Sequence, residues 1–487
     1  MIKNKIRFLG LILSVVTLVT VLIACRYPSD DEYFGGGGTG GVGEGGTGGG
    51  GNNDNNVVDT RPWLRAQGHD VLAQLEWLRD YPNIRPSGYY YVVARAPQYE
   101  REIPGNSDLG SMRYTITVRI QSDTPDPANR RTIQLENVVG TMLNIGNGNT
   151  LYLQNINLQG RLINNTSPGV PLVRVNAGGT MQMTDSAISG QWGRGIGVFT
   201  NGRAYMNTGA RVHGNRIGGV WVQGNNATLT MRNDAQVHSQ IAGGGVAVQG
   251  GHLIMKDNSS LHSNAHWGAT FNPGQLTMKD NSEIRGNGIN PTFGRGIRVS
   301  HGIIRMKDDS RIHGNHDGGV HISSGSITMQ DRARIHNNRA QWNGGGVFME
   351  GNSWSIPTLT MYDNAQIHDN EALVHGGGAM IQGYGTISLR GNNVRIRNNE
   401  AGSFGGGIHL DSDNSTLNIA AGRIYGIDGG INANSADPAT ASDALSVATA
   451  FSQAKFGNYS GPDFTGTFIP EGSPLFSKDL SIIRSVP

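Results

Sequence analysis

Met255-Lys256-Asp257-Asn258-Ser259-Ser260-Leu261-His262-Ser263-Asn264 is the phrase that decides the fold, because it returns through the chain. Most successive copies start 23–25 residues apart, with intervals of 28 and 32 where the connecting loops are longer. A period of this size indicates stacked structural units rather than several unrelated domains. Close copies begin at Met278, Met306, Met329 and Met361, and looser copies begin at Met183, Met206, Met231 and Leu389.

Each repeat contains three short pieces in which apolar and polar residues alternate. One repeat has Leu276-Thr277-Met278, Ile284-Arg285 and Gly296-Ile297-Arg298-Val299. Alternation over so few residues is typical of a strand with one face inward and one outward. A leucine-rich repeat has a similar period, but its phrase is absent and no helical periodicity separates the strands. The sequence therefore predicts an all-β fold, a right-handed parallel β-helix of about ten three-strand coils and roughly 50 Å in length.

One polar column repeats at the turn that follows the Ile-His pair. Asparagine amides stacked coil on coil can hydrogen-bond along such a column and form a structural ladder. Gln240 occupies the same place in its own coil, which fits an amide ladder. The predicted ladder contains Asn215, Asn264, Asn287, Asn315, Asn338, Asn370 and Asn399.

The composition limits the possible functions. Glycine supplies 73 residues, whereas aromatic residues make up only 7% of the chain, a balance that favours many tight turns. The formal net charge is +2, so we expect no nucleic-acid partner. Cys25 is the only cysteine, which excludes intramolecular disulfides and cysteine-built metal sites.

The N-terminus has the pattern of a secretory signal. Basic residues at positions 3, 5 and 7 precede an apolar run over residues 8–24. The run ends in Leu22-Ile23-Ala24-Cys25, which resembles the bacterial lipobox. The resemblance implies that residues 1–24 are a lipoprotein signal peptide and that Cys25 is acylated after cleavage. The alternative is an uncleaved signal anchor with an incidental cysteine.

Acyl chains on Cys25 would hold the protein stably at a membrane, since each buried CH₂ contributes about 0.8 kcal/mol. By resemblance to proteobacterial sorting, Arg26 favours the outer membrane. Residues 25–58 follow as a tether that includes Gly35–Gly51, a nearly pure glycine stretch that can bury no core. We therefore expect a lipid-anchored protein of the bacterial cell envelope, whose folded part faces outward or into the periplasm.

The rest of the chain divides into a repeat region and its two ends. Residues 140–430 carry the β-helix repeats, residues 59–139 form an N-terminal cap with the first strands, and residues 431–487 form a C-terminal cap. Apolar residues at helical spacing over residues 70–79 (Val71, Leu72, Leu75 and Leu78) predict a short amphipathic helix over the first coils. The C-terminal cap has room for one helix near residues 444–454.

The Gly-run and Ile-His-x-Asn motifs resemble the Gly-Gly-Ala and Phe-x-x-Asn repeats of polymorphic outer-membrane proteins, with Gly376-Gly377-Gly378-Ala379 as an example. The coil is also similar to pectate-lyase-like β-helices, adhesin passenger domains and the β-helix lipoproteins of spirochaetes. This likeness covers about residues 140–430 and implies the fold rather than an activity. The chain departs from autotransporters because no series of amphipathic strands precedes Ile483–Pro487. The lipid at Cys25 is therefore the expected anchor.

Several aromatic residues lie just before the glycine runs. They would form a stripe along one turn edge, where rings can stack on sugars or anchor a protein partner. The alternative is simple packing of the rings over the glycine turns. The candidate contacts are Trp192, Trp267, Phe293, Trp342 and Phe404, with Trp354 in a nearby insertion.

Two further columns have both structural and chemical interpretations. Stacked Asp residues (Asp185, Asp257, Asp280, Asp308, Asp331 and Asp363) could supply the paired carboxylates of a glycoside hydrolase or a calcium site, but Asp is also a favoured turn residue. The His column could ligate zinc or copper, with His313, His336 and His368 as the candidates, or could be an exposed polar face. We assign no catalytic residue, no metal site and no cofactor.

The predicted function is a non-catalytic, envelope-anchored surface lipoprotein, adhesin-like, which binds a protein or glycan of a host or neighbouring cell. The protein is expected to be monomeric and to contact the membrane through the lipid at Cys25. The alternative is a polysaccharide lyase or glycoside hydrolase on a pectate-lyase-like β-helix, and the second alternative is a metal-binding surface protein. The fold alone does not choose among them.

Overall fold

The structure is a computed structural model. It describes residues 63–80, 88–96, 102–103, 115–136, 140–162, 169–289, 294–412, 414–425, 434–436, 445–447, 455–456 and 480–481. The predicted signal peptide, Cys25 and the predicted tether lie outside the described residues.

The described residues form a right-handed parallel β-solenoid of about 12 coils, which confirms the predicted fold. The number of coils exceeds the predicted ten because Leu64–Arg65, Tyr89–Ala94 and Thr117–Ser122 already pair in one sheet. These strands lack the Met-x-Asp phrase, so the repeat search could not count their coils.

Each regular coil contributes one strand to each of three sheets. Sheet 1 consists of Leu64–Arg65, Tyr89–Ala94, Thr117–Ser122, Thr150–Gln154, Thr180–Thr184, Arg203–Met206, Thr228–Met231, His252–Met255, Gln275–Met278, Gly302–Met306, Gly325–Met329, Thr358–Met361, Gly385–Leu389, Ser415–Ile419 and Lys455–Phe456. Sheet 2 consists of Arg131–Gln134, Ile156–Gln159, Ala187–Ser189, Arg211–His213, Gln236–His238, Ser260–His262, Glu283–Arg285, Arg311–His313, Arg334–His336, Gln366–His368, Arg395–Arg397, Arg423–Ile424 and Leu480–Ser481. Sheet 3 consists of Leu143–Ile145, Pro171–Val175, Arg194–Val198, Gly218–Gln223, Gly244–Gln249, Ala269–Phe271, Ile297–Val299, Val320–Ile322, Val347–Gly351, Ala379–Gly383, Ile408–Leu410 and Leu445–Val447.

The methionines of the repeat phrase form one core column. Met255, Met278, Met306, Met329 and Met361 pair in register from coil to coil, and each is 0% exposed. Full burial of such a side chain contributes about 1.5–3 kcal/mol. Since the side-chain period of a strand is two, this column fixes which residues of sheet 1 face solvent.

A fourth sheet explains part of the longer repeats. Its strands follow the ladder position in the last coils, and Ala340, Ala372 and Ala401 fill its buried side. The added strands give these coils a fourth side at the corner that follows the ladder. Sheet 4 consists of Arg339–Ala340, Glu371–Ala372, Glu400–Ala401 and Ser435–Ala436.

The predicted helix is present as Val71–Asp80 and packs against the strand Tyr89–Ala94. Asp70 caps it, because its Oδ1 accepts a hydrogen bond from Ala73 N at 2.7 Å. The buried Gln74 side chain both donates to Val93 O and accepts from Val93 N, each at 3.0 Å. The helix thus meets backbone polar groups of the adjoining strand as well as apolar side chains.

At the C-terminal end, Leu445–Val447 is a strand parallel to Ile408–Leu410, so the helix expected near residues 444–454 is wrong for these residues. A strand satisfies the unpaired edge of sheet 3, which a helix at the same place would leave exposed. Leu480–Ser481 pairs antiparallel with Arg423–Ile424, whereas the other described strand pairs are parallel. Among the described residues, the ten-residue helix is too short to cross a membrane, and no other helix meets that requirement.

Candidate functional site

The predicted aromatic residues differ in how much of each ring is accessible. Trp192, Trp267 and Phe404 are half-buried, whereas Trp342 and Trp354 are exposed. Phe293 lies outside the described residues.

The half-buried rings are covered by side chains of nearby coils. The Arg216 guanidinium lies 4.4 Å from the Trp192 ring centre, and Arg298 lies 5.2 Å from that of Trp267. The imidazole of His375 stacks on Phe404 with ring centres 5.3 Å apart. Cation–π contacts of this kind already occupy one face of each tryptophan. These positions match the packing interpretation better than an open stripe.

Trp342 is accessible, and two apolar residues, Leu373 and Val374, lie next to its backbone on the following coil. It is 68% exposed, and Leu373, one coil along, is 48% exposed. The backbone holds the patch in place, because Val374 N donates to Trp342 O at 2.9 Å and Leu373 N donates to Ala340 O at 3.1 Å. We call Trp342, Leu373 and the half-buried Val374 the Trp342 corner.

Trp354 is 96% exposed but belongs to a different edge. It sits in the small turn Asn352–Ser355, where Trp354 N donates to Asn352 Oδ1 at 2.9 Å. The strand Val347–Gly351 lies between Trp342 and this turn, so the two tryptophans are at opposite ends of that strand. The structure therefore does not join Trp354 to the Trp342 corner.

The predicted ladder residues occupy one buried column. From Asn287 to Asn399, each asparagine Oδ1 accepts from the backbone N and the Nδ2 of the preceding ladder residue, as Asn315 Oδ1 does from Asn287 at 3.1 and 3.0 Å. Asn215 and Asn264 follow a glutamine and accept only from its backbone N. Gln240 takes the same place with its Oε1. The column also extends beyond the predicted range to Gln191 and Asn434, which the looser repeats at both ends concealed.

The Asp column lies on the exposed turn between sheets 1 and 2. Asp257, Asp280, Asp308, Asp331 and Asp363 have φ between 53° and 57°, a left-handed conformation that Asp tolerates better than most residues. Each carboxylate accepts from the backbone N of the preceding coil at 2.9–3.1 Å. The carboxylates therefore stabilise the turn and link neighbouring coils.

The histidines of sheet 2 stack ring on ring in two groups. Ring centres are 4.8–5.2 Å apart within His213–His238–His262 and 4.9 Å apart within His313–His336–His368. Two nitrogens bound to one zinc ion are at most about 4.2 Å apart, and their lone pairs must converge, which parallel rings do not allow. No group of three or more His, Cys, Asp or Glu residues in the described part of the chain is arranged to hold a metal ion.

Burial controls the protonation of these imidazoles. Burial, followed by the adjacent His262 and His213 rings, lowers the pKa of His238 to about 4. Burial likewise lowers the pKa of His336 to about 3, with His368 and His313 as the next causes. The His238 and His336 rings are therefore neutral at pH 7.

A buried arginine was not foreseen from the sequence. Arg295 is 8% exposed, lies 3.7 Å from Asp317, and reaches over Gly318 to the Phe348 ring, 5.2 Å away. A Cβ at Gly318 would lie 3.1 Å from Arg295 Nη1, so glycine opens the path. The one available sequence signal is the Gly-Arg-Gly-Ile motif at residues 294–297. It also occurs at residues 193–196, where Arg194 stacks on Trp221.

Comparison of the chain with protein-family models, curated proteins and solved structures finds no match. The interpretation of the site therefore depends on the geometry described above.

Proposed function

We propose that this chain is a non-catalytic, envelope-anchored surface protein that binds a protein of a host or neighbouring cell through the Trp342 corner. The observation that carries the proposal is an exposed tryptophan beside Leu373 on a backbone held by inter-coil hydrogen bonds. Tryptophan is enriched among the residues that dominate binding energy at protein interfaces. The Arg339–Glu371 ion pair, at 3.1 Å, supplies the kind of polar rim that surrounds such centres.

The anchor in this proposal is the acylated Cys25, on the lipobox-like sequence given above. Protease treatment of intact cells tests surface display. Rapid loss of the solenoid from intact cells is the expected result, and protection until the outer membrane is opened would contradict surface display.

Binding through the Trp342 corner is tested with Trp342→Ala in the full chain, assayed for adhesion to host and neighbouring cells and to their extracted surface proteins. Loss of a central tryptophan should weaken binding about 30-fold. Ile241→Ala, at a residue 46% exposed on an earlier coil, is the matched control. An equal loss with Ile241→Ala, or a loss only with Trp354→Ala, would reject the Trp342 corner.

A glycan partner at the same corner is distinguished by treating the target cells with glycosidases before the adhesion assay. Retained binding after glycosidase treatment, and loss after protease treatment, supports the protein partner.

A further inference from the structure

The outer face of sheet 2 carries an unusual set of side chains over four consecutive coils. The strands Arg311–His313, Arg334–His336, Gln366–His368 and Arg395–Arg397 pair in register, so their first and last residues form two outward columns. Those eight positions hold four arginines, three histidines and one glutamine, and none holds a carboxylate. We call these eight residues the basic stripe.

The stripe places like charges directly opposite each other. Arg311 and Arg334 are register partners, and like-charged pairs at such positions destabilise a sheet. Glu283 pairs with Arg311 at 3.1 Å, and Asp309 lies 3.9 Å from Arg334, so the first two coils are partly neutralised.

The last coil of the stripe has less compensation. Arg397 donates to the neutral Gln366 Oε1 at 3.4 and 3.3 Å, and Arg395 is exposed. Within the described part of the chain, no ion pair within 4 Å joins either guanidinium to a carboxylate. The least compensated positive charge of the stripe therefore lies at Arg395 and Arg397, where a bound anion could pair with the guanidinium groups.

The acidic residues beside the stripe indicate how a bound anion would be oriented on it. The Asp column borders the stripe on the turn that leads into sheet 2, with Asp308, Asp331 and Asp363 beside these coils. An anionic polymer is repelled by this edge and must run along the solenoid axis. Four coils at the inter-strand spacing extend over about 15 Å, enough for several anionic groups.

The same face disfavours two other polyanions. Nucleic acids bind such surfaces by stacking bases on aromatic rings, but His313, His336 and His368 stack on each other at interplanar angles of 1–2°. Anionic membranes are bound by faces that also insert apolar side chains, and the stripe has none. Carboxylates and sulfates on a sugar chain match guanidinium groups by paired hydrogen bonds.

We propose that the basic stripe binds a linear polysaccharide that bears carboxylate or sulfate groups, laid along the solenoid axis. The site lies on sheet 2 and is separate from the Trp342 corner, so either site can fail its test without the other.

The test measures binding of the full chain to dextran sulfate and carboxymethyl dextran, with uncharged dextran as the matched polymer. Both charged polymers should bind, more weakly as salt is raised, and dextran should not. Arg334→Gln combined with Arg395→Gln should weaken binding about 100-fold. Arg203→Gln, at an exposed arginine of sheet 1, is the control and should change binding by less than about twofold.

Thermal unfolding separates loss of the site from loss of the fold. Because the substitutions remove like-charge repulsion, the double variant should melt at or above the temperature of the unmodified chain. The proposal fails if the charged dextrans do not bind, or if Arg203→Gln weakens binding as much as the double variant. Equal binding of single-stranded DNA or phosphatidylglycerol vesicles would also overturn it.

Discussion

At the scale of single residues, the amide ladder shows how a buried polar side chain that repeats from coil to coil can stabilise the fold. Asn315 Nδ2 donates to Asn338 Oδ1 at 2.9 Å and to Ile284 O at 3.0 Å, so one side chain satisfies the turn and links adjacent coils. Buried amides of this kind stabilise only when every donor and acceptor is paired. The ladder is therefore sensitive to any single replacement.

Asn315→Ala should lower the free energy of unfolding by about 3 kcal/mol, because it leaves Asn287 N buried without a partner and removes one hydrogen bond from the buried Ile284 O. Asn315→Gln should cost less than half as much, since Gln240 already occupies the column. Chemical denaturation of both variants measures the difference. Asn258→Ala, on the exposed turn, should be nearly neutral, and an equal loss there would show that the column has no special role.

At the scale of elements, sheet 2 contains the histidines whose pKa values are lowered most strongly. Burial, together with neighbouring imidazole and guanidinium groups, lowers the pKa of His238, His262 and His336, so these three rings are neutral in the folded state at pH 7. In the unfolded chain these groups have a pKa near 6.5. Because the folded pKa is the lower one, their stabilisation is complete above about pH 6.5 and is lost as the pH falls toward the folded values of about 4 and 3.

The melting temperature should therefore fall as the pH is lowered from 6.5 to about 4, more steeply for the unmodified chain than for His336→Gln. The groups that face His336 on sheet 2 are His313, His368, Arg311 and Arg334, and all four disfavour its protonated form. Unfolding followed at several pH values measures the two slopes. His301→Gln, at an exposed histidine outside the stacks, is the control, and identical slopes for all three proteins would contradict the prediction.

The sequence predicts the position of a residue when that residue repeats at the interval of the coils, and it does not predict contacts that occur only once. The Met, Asn and Asp columns repeat at a fixed interval, so the inward and outward faces of Met306, Asn315 and Asp308 follow from the pattern alone. The reach of Arg295 over Gly318 to Phe348 joins residues of different coils through one side-chain conformation, which no interval encodes. The separation of Trp342 from Trp354 likewise depends on the strand that lies between them.

At the scale of the whole molecule, stability should be a sum over coils and their contacts with neighbouring coils. Columns that pair in register make one coil nearly equivalent to the next, as Met231 and Met255 show. The length of the solenoid is then set by the number of coils rather than by a closed topology.

Deletion of Arg232–Met255 removes one complete coil and joins Met231 to Lys256 in the original register. The shortened protein should fold cooperatively, and its longest dimension in small-angle scattering should fall by about 5 Å. Deletion of Gly244–Met255 removes only two strands of that coil and should abolish cooperative unfolding. If both deletions unfold alike, the coils are not interchangeable units.

The parallel hydrogen bonds between coils also determine how the solenoid yields to tension. Those bonds run along the axis, so a pull on the two ends loads one coil boundary at a time and peels the coils in sequence. Each released coil of roughly two dozen residues adds about 80 Å of extended chain. Under the proposed function, such a chain would lengthen stepwise under shear and dissipate work at each step, so that a bound cell stays attached under a force that would break a rigid link.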